Sequence, residues 1–145
     1  MNRRIDEIDA TILSILRDDA TTPKAEIARK VRLAPSAVFA RIQRLERLGV
    51  IQGYTTRVDS SALGLPVLAF IFVTERKPVR GKPTAKQLAA LKDVEEVHRI
   101  AGEACFLLKV RCASNDALAK LLDRMAAIPS VASTRTTIVL STIAQ

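Results

Sequence analysis

The sequence predicts an α+β protein in two parts, three short helices followed by a βαββαβ run, and three observations predict it. Apolar residues recur at spacings of three and four through the stretch from Ile5 to Leu48, the period of helices with one buried face. That period is lost between Gly53 and Pro66, where Gly64 and Pro66 punctuate an extended segment. Beyond it lies Val67–Val73, VLAFIFV, apolar at every position, as a strand buried on both faces would be and too short to span a membrane.

The first helix follows from Ile5, Ile8, Ile12 and Ile15 or Leu16, which predict a helix over Asp6 to about Asp18, broken by Ala20 to Thr22. Thr22 before Pro23 offers an N-cap oxygen and a first-turn proline to a short helix burying Ile27, Ala28 and Val31. Arg32 to Ala34 is a tight turn. The third helix starts near Pro35, with Leu33 and Val38 placed as a hydrophobic staple, and runs to about Leu48 before Gly49 as the C′ residue. Wound at about 100° per residue, it groups Val38, Ile42 and Leu45 on one face and Ser36, Ala40, Gln43, Arg44 and Arg47 on the opposite one. Gln52 to Arg57, after Val50 and Ile51, suits a short wing. Residues 1–52 are thus expected to form a winged helix-turn-helix, with residues 53–65 as a linker strand and residues 66–145 as the second domain.

In that second domain Val67–Val73 is a strand, Thr84 to about Leu91 a helix, Val94–Ala101 and Phe106–Cys112 strands. Asn115–Ala127 is a helix behind a Ser114 cap, and Val131–Ile143 the last strand. The order is the ferredoxin-like plan, with both helices on one face of an antiparallel sheet. Because the first strand is apolar on both faces, the bare face needs a cover, and a second copy of the chain is the simplest one.

Charge narrows the function. The chain carries a formal net charge of +8, which favours polyanionic partners: nucleic acid, anionic membrane or acidic protein surfaces. Lys24, Arg29, Lys30, Arg32, Arg41, Arg44, Arg47 and Arg57 face only Glu26 and Glu46 between residues 24 and 57. A second acid-free run, Arg76, Lys77, Arg80, Lys82, Lys86 and Lys92 around Pro78, Gly81 and Pro83, has the composition of a solvated basic loop leading into a helix. A major groove about 12 Å wide admits one helix, where Gln and Arg reach base edges and Ser and Arg reach phosphates. Ser36, Gln43, Arg44 and Arg47 have that chemistry, with Pro35 and Ala40 completing the candidate surface on double-stranded DNA. Phe39, at the margin of the apolar stripe, either completes the core or touches a thymine methyl. Arg41 projects nearer the core side, better placed for a phosphate than a base.

No basic start leads into an apolar leader, and no apolar run reaches 18 residues, so neither a signal peptide nor a membrane span is expected and the cytoplasm is the expected compartment. Cys105 and Cys112 fit free thiols there; without a matching histidine pair they make no structural zinc site. His98 is the only histidine and has no sequence partner for catalysis, so neither enzymatic activity nor a cofactor is expected.

Several segments in order, IDEIDATILSILRDDA, AEIARKV, LAPSAVFARIQRLERLGVIQGYT with its trailing ALGL, VEEVHRIAGEACFLLKV and IPSVASTRTTIVL, make the chain resemble the leucine-responsive (Lrp/AsnC) family of bacterial and archaeal transcription regulators over essentially its whole length. The resemblance implies a DNA-binding regulator dimerising through its sheet, with tetramers of dimers (octamers) in many members, and an amino-acid effector held by the C-terminal domain. Two departures stand out. Ala34 sits where the family usually has Ser or Thr, which removes a cap worth ~1 kcal/mol that Pro35 offsets in part. The effector loop, commonly Gly, an acid, any residue, Asp and an aromatic, is here Gly102, Glu103, Ala104, Cys105 and Phe106. Cys105 puts a thiol where an Asp would be the natural partner of an amino group, which leaves Glu103 as the acid; Thr134 and Thr136 match family positions near the site. The implied effector set is Gly102, Glu103, Cys105, Thr134 and Thr136. Siroheme decarboxylases resemble the same family, but one His, one Tyr and no Trp suit a tetrapyrrole site poorly. An architectural DNA-compacting protein is the other alternative, served by the basic loop at 76–86.

Overall fold

The computed structural model describes residues 5–76 and 84–143. The chain divides into two compact units, Met1–Arg57 and Val58–Gln145. Lys77, Arg80 and Lys82 of the expected basic loop lie outside the described residues.

Three helices make the first unit: α1 (Glu7–Asp18), α2 (Lys24–Val31) and α3 (Pro35–Arg47). A reciprocal capping box opens α1, in which the Asp6 carboxylate accepts from the Asp9 N–H at 2.8 Å and the Asp9 carboxylate accepts from the Asp6 N–H at 3.3 Å. Two amides that the helix cannot satisfy internally are thereby paired. The expected Thr22 cap of α2 is absent: Pro23 is itself the N-cap residue, and no side chain caps the helix. Thr22 Oγ1 instead donates to the Asp19 carbonyl at 2.8 Å, so the hydroxyl closes α1 rather than opening α2. Between α2 and α3 the chain turns through Arg32 at φ 55°, and the Leu33 N–H reaches back to the Ala28 carbonyl at 3.0 Å.

Ala34 precedes α3 without a side-chain cap, and Pro35 sits in its first turn. The helix ends on Gly49 at φ 65°. There the Gly49 N–H bonds the Glu46 carbonyl and the Val50 N–H bonds the Leu45 carbonyl, both at 2.9 Å, the two bonds of a Schellman stop. Ile12, Ile27, Ala28, Val38 and Ile42 form the buried cluster, and Leu33, the expected staple, packs against it with Ile8, Val31 and Ile51. No strand forms between Gly53 and Pro66; the segment makes a turn in which the Leu65 N–H bonds the Ser60 carbonyl at 2.8 Å. A strand exists only through ladder bonds to a neighbour, and no described segment of this chain pairs with it.

The second unit contains β1 (Val67–Glu75), α4 (Thr84–Ala89), β2 (Val94–Arg99), β3 (Phe106–Cys112), α5 (Asn115–Ala126) and β4 (Val131–Ile138). The strands lie in the order β2-β3-β1-β4 and every neighbouring pair is antiparallel, the ferredoxin-like arrangement with β1 central. Ala69, Ile71 and Val73 of β1 are fully buried and share one cluster with Leu108 and Val110 of β3 and with Leu88, Leu118, Leu121 and Met125 of the two helices. Phe70 and Phe72 point to the other face and are only half-buried. As expected, Ser114 caps α5, its hydroxyl accepting from the Ala117 N–H at 3.1 Å.

Two strands stop short of their expected ends. β2 closes at Arg99 because the Ile100 N–H turns to the Cys105 carbonyl at 3.1 Å. β4 ends at Ile138 rather than Ile143, since after the Val139 N–H bonds the Leu68 carbonyl at 2.9 Å its partner β1 runs out into Pro66. Leu140 and Ile143 are accordingly 97% and 98% exposed.

Nothing lies within 4 Å of a methyl group placed on Gly49, so the cost of Gly49→Ala is purely that of its left-handed backbone. The substitution should lower the stability of the first unit by about 1–2 kcal/mol, read as a lower melting temperature. An unchanged melting temperature would show that the stop of α3 does not depend on that conformation.

Candidate nucleic-acid interface and effector site

Three sides of α3 are occupied by the protein itself. Its inner face buries Val38, Ile42 and Leu45. On one flank Arg41 Nη1 donates to Asp6 Oδ2 at 2.7 Å and to Asp9 Oδ1 at 2.8 Å, while Arg44 Nη1 donates to Asp9 Oδ2 at 3.0 Å. Asp9 is 0% exposed, and a carboxylate removed from water is tolerable only when paired and hydrogen-bonded. The Asp6 and Asp9 carboxylates raise the Arg41 pKa. The Asp9 backbone N–H, and after it Arg41, hold the Asp6 carboxyl below the ordinary 3.8.

On the opposite flank the Lys24 ammonium lies 4.7 Å from the centre of the Phe39 ring, and the Tyr54 hydroxyl donates to Glu46 Oε1 at 2.9 Å. Burial, and then the Glu46 carboxylate, raises the Tyr54 pKa.

What α3 turns outward is Ser36, Ala40, Gln43 and Arg47, all exposed, a stripe at successive helical turns with Pro35 at its leading end. Of the candidate DNA-binding residues, the structure gathers Ser36, Ala40, Gln43 and Arg47 on one surface, while Pro35 opens the helix. Arg44 stands at the edge of that stripe, half-exposed and shared with Asp9. Arg41, expected to favour phosphate, turns its guanidinium to Asp6 and Asp9. Phe39 is 44% exposed, with the Lys24 ammonium over one face of its ring. The residue that sequence reasoning missed is Asp9. The signal was present, because Asp9 falls four residues after Ile5 and three before Ile12, an acid on the apolar side of α1.

The β2–β3 loop carries part of the expected effector set. Gly102 adopts φ 146°, a conformation that side chains disfavour. The Glu103 side chain is 94% exposed, and its Oε2 lies 3.9 Å from Arg135 Nη1. Cys105 is half-buried and packs against the main core, and its N–H donates to the Val73 carbonyl at 2.9 Å. Thr134 and Thr136 pair with Val73 and Ile71, which puts their side chains on the helix-facing side of the sheet. Arg135, between them, faces the other way with Glu103. Phe72, Thr74, Glu103, Ala104, Ser133 and Arg135 line a depression of about 190 Å³, and the Arg135 guanidinium lies 4.8 Å from the centre of the Phe72 ring. The register thus separates the threonines from Glu103 by sheet face and brings in Arg135.

His98 lies beside a surface ion pair and shares a hydrogen bond with it. Its Nε2 is 2.8 Å from Glu96 Oε2, and Lys109 Nζ lies 3.0 Å from Glu96 and 3.3 Å from Glu95. Lys109 first, and His98 second, lower the Glu96 pKa. Among the described residues no group of three His, Cys, Asp or Glu side chains could hold a metal ion, and no helix is long and apolar enough to cross a membrane.

Residues 5–52 match the family model for a winged helix-turn-helix DNA-binding domain, and residues 68–145 match the Lrp/AsnC ligand binding domain. The chain is 37% identical over 142 residues to the HTH-type transcriptional regulator LrpA of Mycobacterium tuberculosis, covering 98% of this chain and 94% of that protein. It is 33% identical over 150 residues to the leucine-responsive regulatory protein of Haemophilus influenzae, covering 99% and 89%. Among solved structures, a feast or famine regulatory protein from M. tuberculosis complexed with L-methionine superimposes with a TM-score of 0.91 at 35% identity, covering 98% of this chain and 96% of that one.

The lowered Asp6 pKa fixes the sign of an acid response. A carboxyl that binds its proton more weakly folded than unfolded stabilises the fold above its ordinary value, and that contribution fades as pH falls through the lower folded value. Asp6→Asn keeps a capping oxygen but removes the charge. Its melting temperature should lie below that of the parent at about pH 7, and the gap should close as pH falls below about 4. A gap that stayed constant over that range would show that the Asp6–Arg41 pair does not titrate with the fold.

Proposed function

The chain belongs to the Lrp/AsnC family of DNA-binding transcription regulators, and from that membership we propose that it reads operator DNA as a homodimer through the outward stripe of α3. The observation that carries this is the division of labour on α3: its inner face and both flanks are committed within the unit, which leaves Ser36, Ala40, Gln43 and Arg47 toward a groove. Gln43 has the paired donor and acceptor that read a base edge, while Ser36, Arg47 and the N-terminal turn at Pro35 suit phosphates. Ala40 lets the helix approach closely. The half-exposed Phe70 and Phe72 on the helix-free face of the sheet support dimerisation through that face, with further assembly to an octamer as the family plan allows. The protein works in the cytoplasm, where its DNA lies.

An amino acid modulates it. The methionine complex of the M. tuberculosis protein supports that class of effector here, and the pairing of Glu103 with Arg135 offers an acid for an α-ammonium group and a cation for an α-carboxylate. Gly102 and Cys105 shape the loop that presents Glu103. β4 is an edge strand, so a ligand seated against that edge meets Thr134 and Thr136 from one side and Arg135 from the other. Such a ligand regulates only through different affinities for two states of the protein.

Selection from random duplexes should return a dyad with half-sites about one helical turn apart; recovery of no enriched motif would remove the sequence-specific reading. Gln43→Ala should change which bases are preferred. Arg47→Ala should weaken binding on all sequences alike and reduce the salt slope by about 1. Equal losses on every duplex for both variants would abolish the assigned roles. In a thermal-shift screen of the amino acids, one or more should raise the melting temperature of the parent and fail to do so in Glu103→Gln; no shift with any of them would end the effector assignment.

A further inference from the structure

Non-specific attraction to DNA grows with the number of phosphates a protein neutralises, and each one steepens the salt dependence of binding by about 0.9 in the logarithmic slope. A recognition helix rich in arginine therefore risks holding any sequence. Here α3 carries Arg41, Arg44 and Arg47, yet two of the three are engaged by acids of α1. Arg41 Nη1 donates to both Asp6 and Asp9, and Arg44 Nη1 donates to the second oxygen of Asp9.

We propose that Asp6 and Asp9 form an acidic clasp that withholds Arg41 and Arg44 from the DNA backbone and so sets the ratio of specific to non-specific binding. The burial of Asp9 is what gives the clasp its strength. A phosphate at the surface can take either arginine only by leaving a fully buried carboxylate short of a partner, which is far more costly than parting two solvated charges. Asp6 is exposed over about half of its side chain and adds a second hold on Arg41 alone. Both acids lie within the first turn of α1 or at its cap, so one capping box builds the clasp and starts the helix together. The outward stripe is untouched, and discrimination is left to Gln43 and its neighbours. Asp9 is in this sense a positioning residue, acting on DNA through the arginines it holds. The inference rests on α3 lying in the groove as proposed above.

The test measures the affinity of the full chain for a scrambled duplex and for a dyad recovered by selection, over a series of salt concentrations. Asp9→Asn should steepen the salt slope on the scrambled duplex by about 0.9 for the arginine it frees, raise affinity for that duplex several-fold at low salt, and lower the ratio of dyad to scrambled affinity. Glu7→Gln removes the same charge from an exposed position in the same turn of α1 and should leave the slope unchanged. An Asp9→Asn slope equal to that of the parent or of Glu7→Gln overturns the clasp. If Asp9→Asn does not fold, Asp9→Ala, which buries no unpaired polar group and carries the best helix propensity, takes its place, and an unchanged ratio in that folded variant is equally fatal. Arg47→Ala separates the two levels: if it fails to flatten the slope, the seat of α3 in the groove is wrong. If it flattens the slope while the clasp variants change nothing, only the clasp is lost.

Discussion

The DNA-binding unit hangs on one buried carboxylate. Asp9 has no exposed surface and accepts hydrogen bonds from Arg41 and Arg44 while pairing with the amide of Asp6. A single side chain thereby joins the start of α1 to the middle of α3 and fixes how far α3 can rotate about its own axis. Without that constraint, the cluster around Ile12, Ile27, Val38 and Ile42 would still bring the helices together, since apolar burial is not directional. It would not specify which stripe faces outward. A reading helix needs that specification, because a rotation by one residue, about 100°, replaces the residues offered to DNA with their neighbours.

Much of this architecture was legible in the sequence, for reasons that differ by element. The helices of the first unit followed from Ile8, Ile12, Ile27, Val38 and Ile42, whose spacing has only one helical solution, and Gly49 marked the end of α3 because few other residues accept its backbone conformation. The first strand followed from VLAFIFV, apolar at every position. Errors arose where a residue had more than one possible partner. Thr22 is suited to cap a helix on either side of it, and the choice depends on how the α1–α2 turn closes. The end of β4 depends on where β1 begins, a distant fact that Val139–Ile143 do not contain.

The site divides along the same line. Face assignments, Ser36, Gln43 and Arg47 outward and Val38 and Leu45 inward, needed only the helical period. The engagement of Arg41 and Arg44 needed knowledge of α1, more than thirty residues away. In the second unit, family resemblance pointed to Thr134 and Thr136, but strand register placed Arg135 on the face that carries Glu103, and register is a property of paired strands rather than of either one alone.

Cys105 stands where an effector-binding acid would be expected, yet its backbone has a mechanical role. Its N–H is tied to Val73 near the end of the interior strand β1 and its carbonyl receives the Ile100 N–H, so the loop from Ala101 to Ala104 is pinned at its base to the strand that also carries Phe72. Such a loop cannot yield on its own when something pulls on Glu103. The displacement must be shared with β1, which pairs with a strand on each side, or be refused. The fastening at Cys105 therefore makes the tip of the loop a lever whose fulcrum is the end of an interior strand.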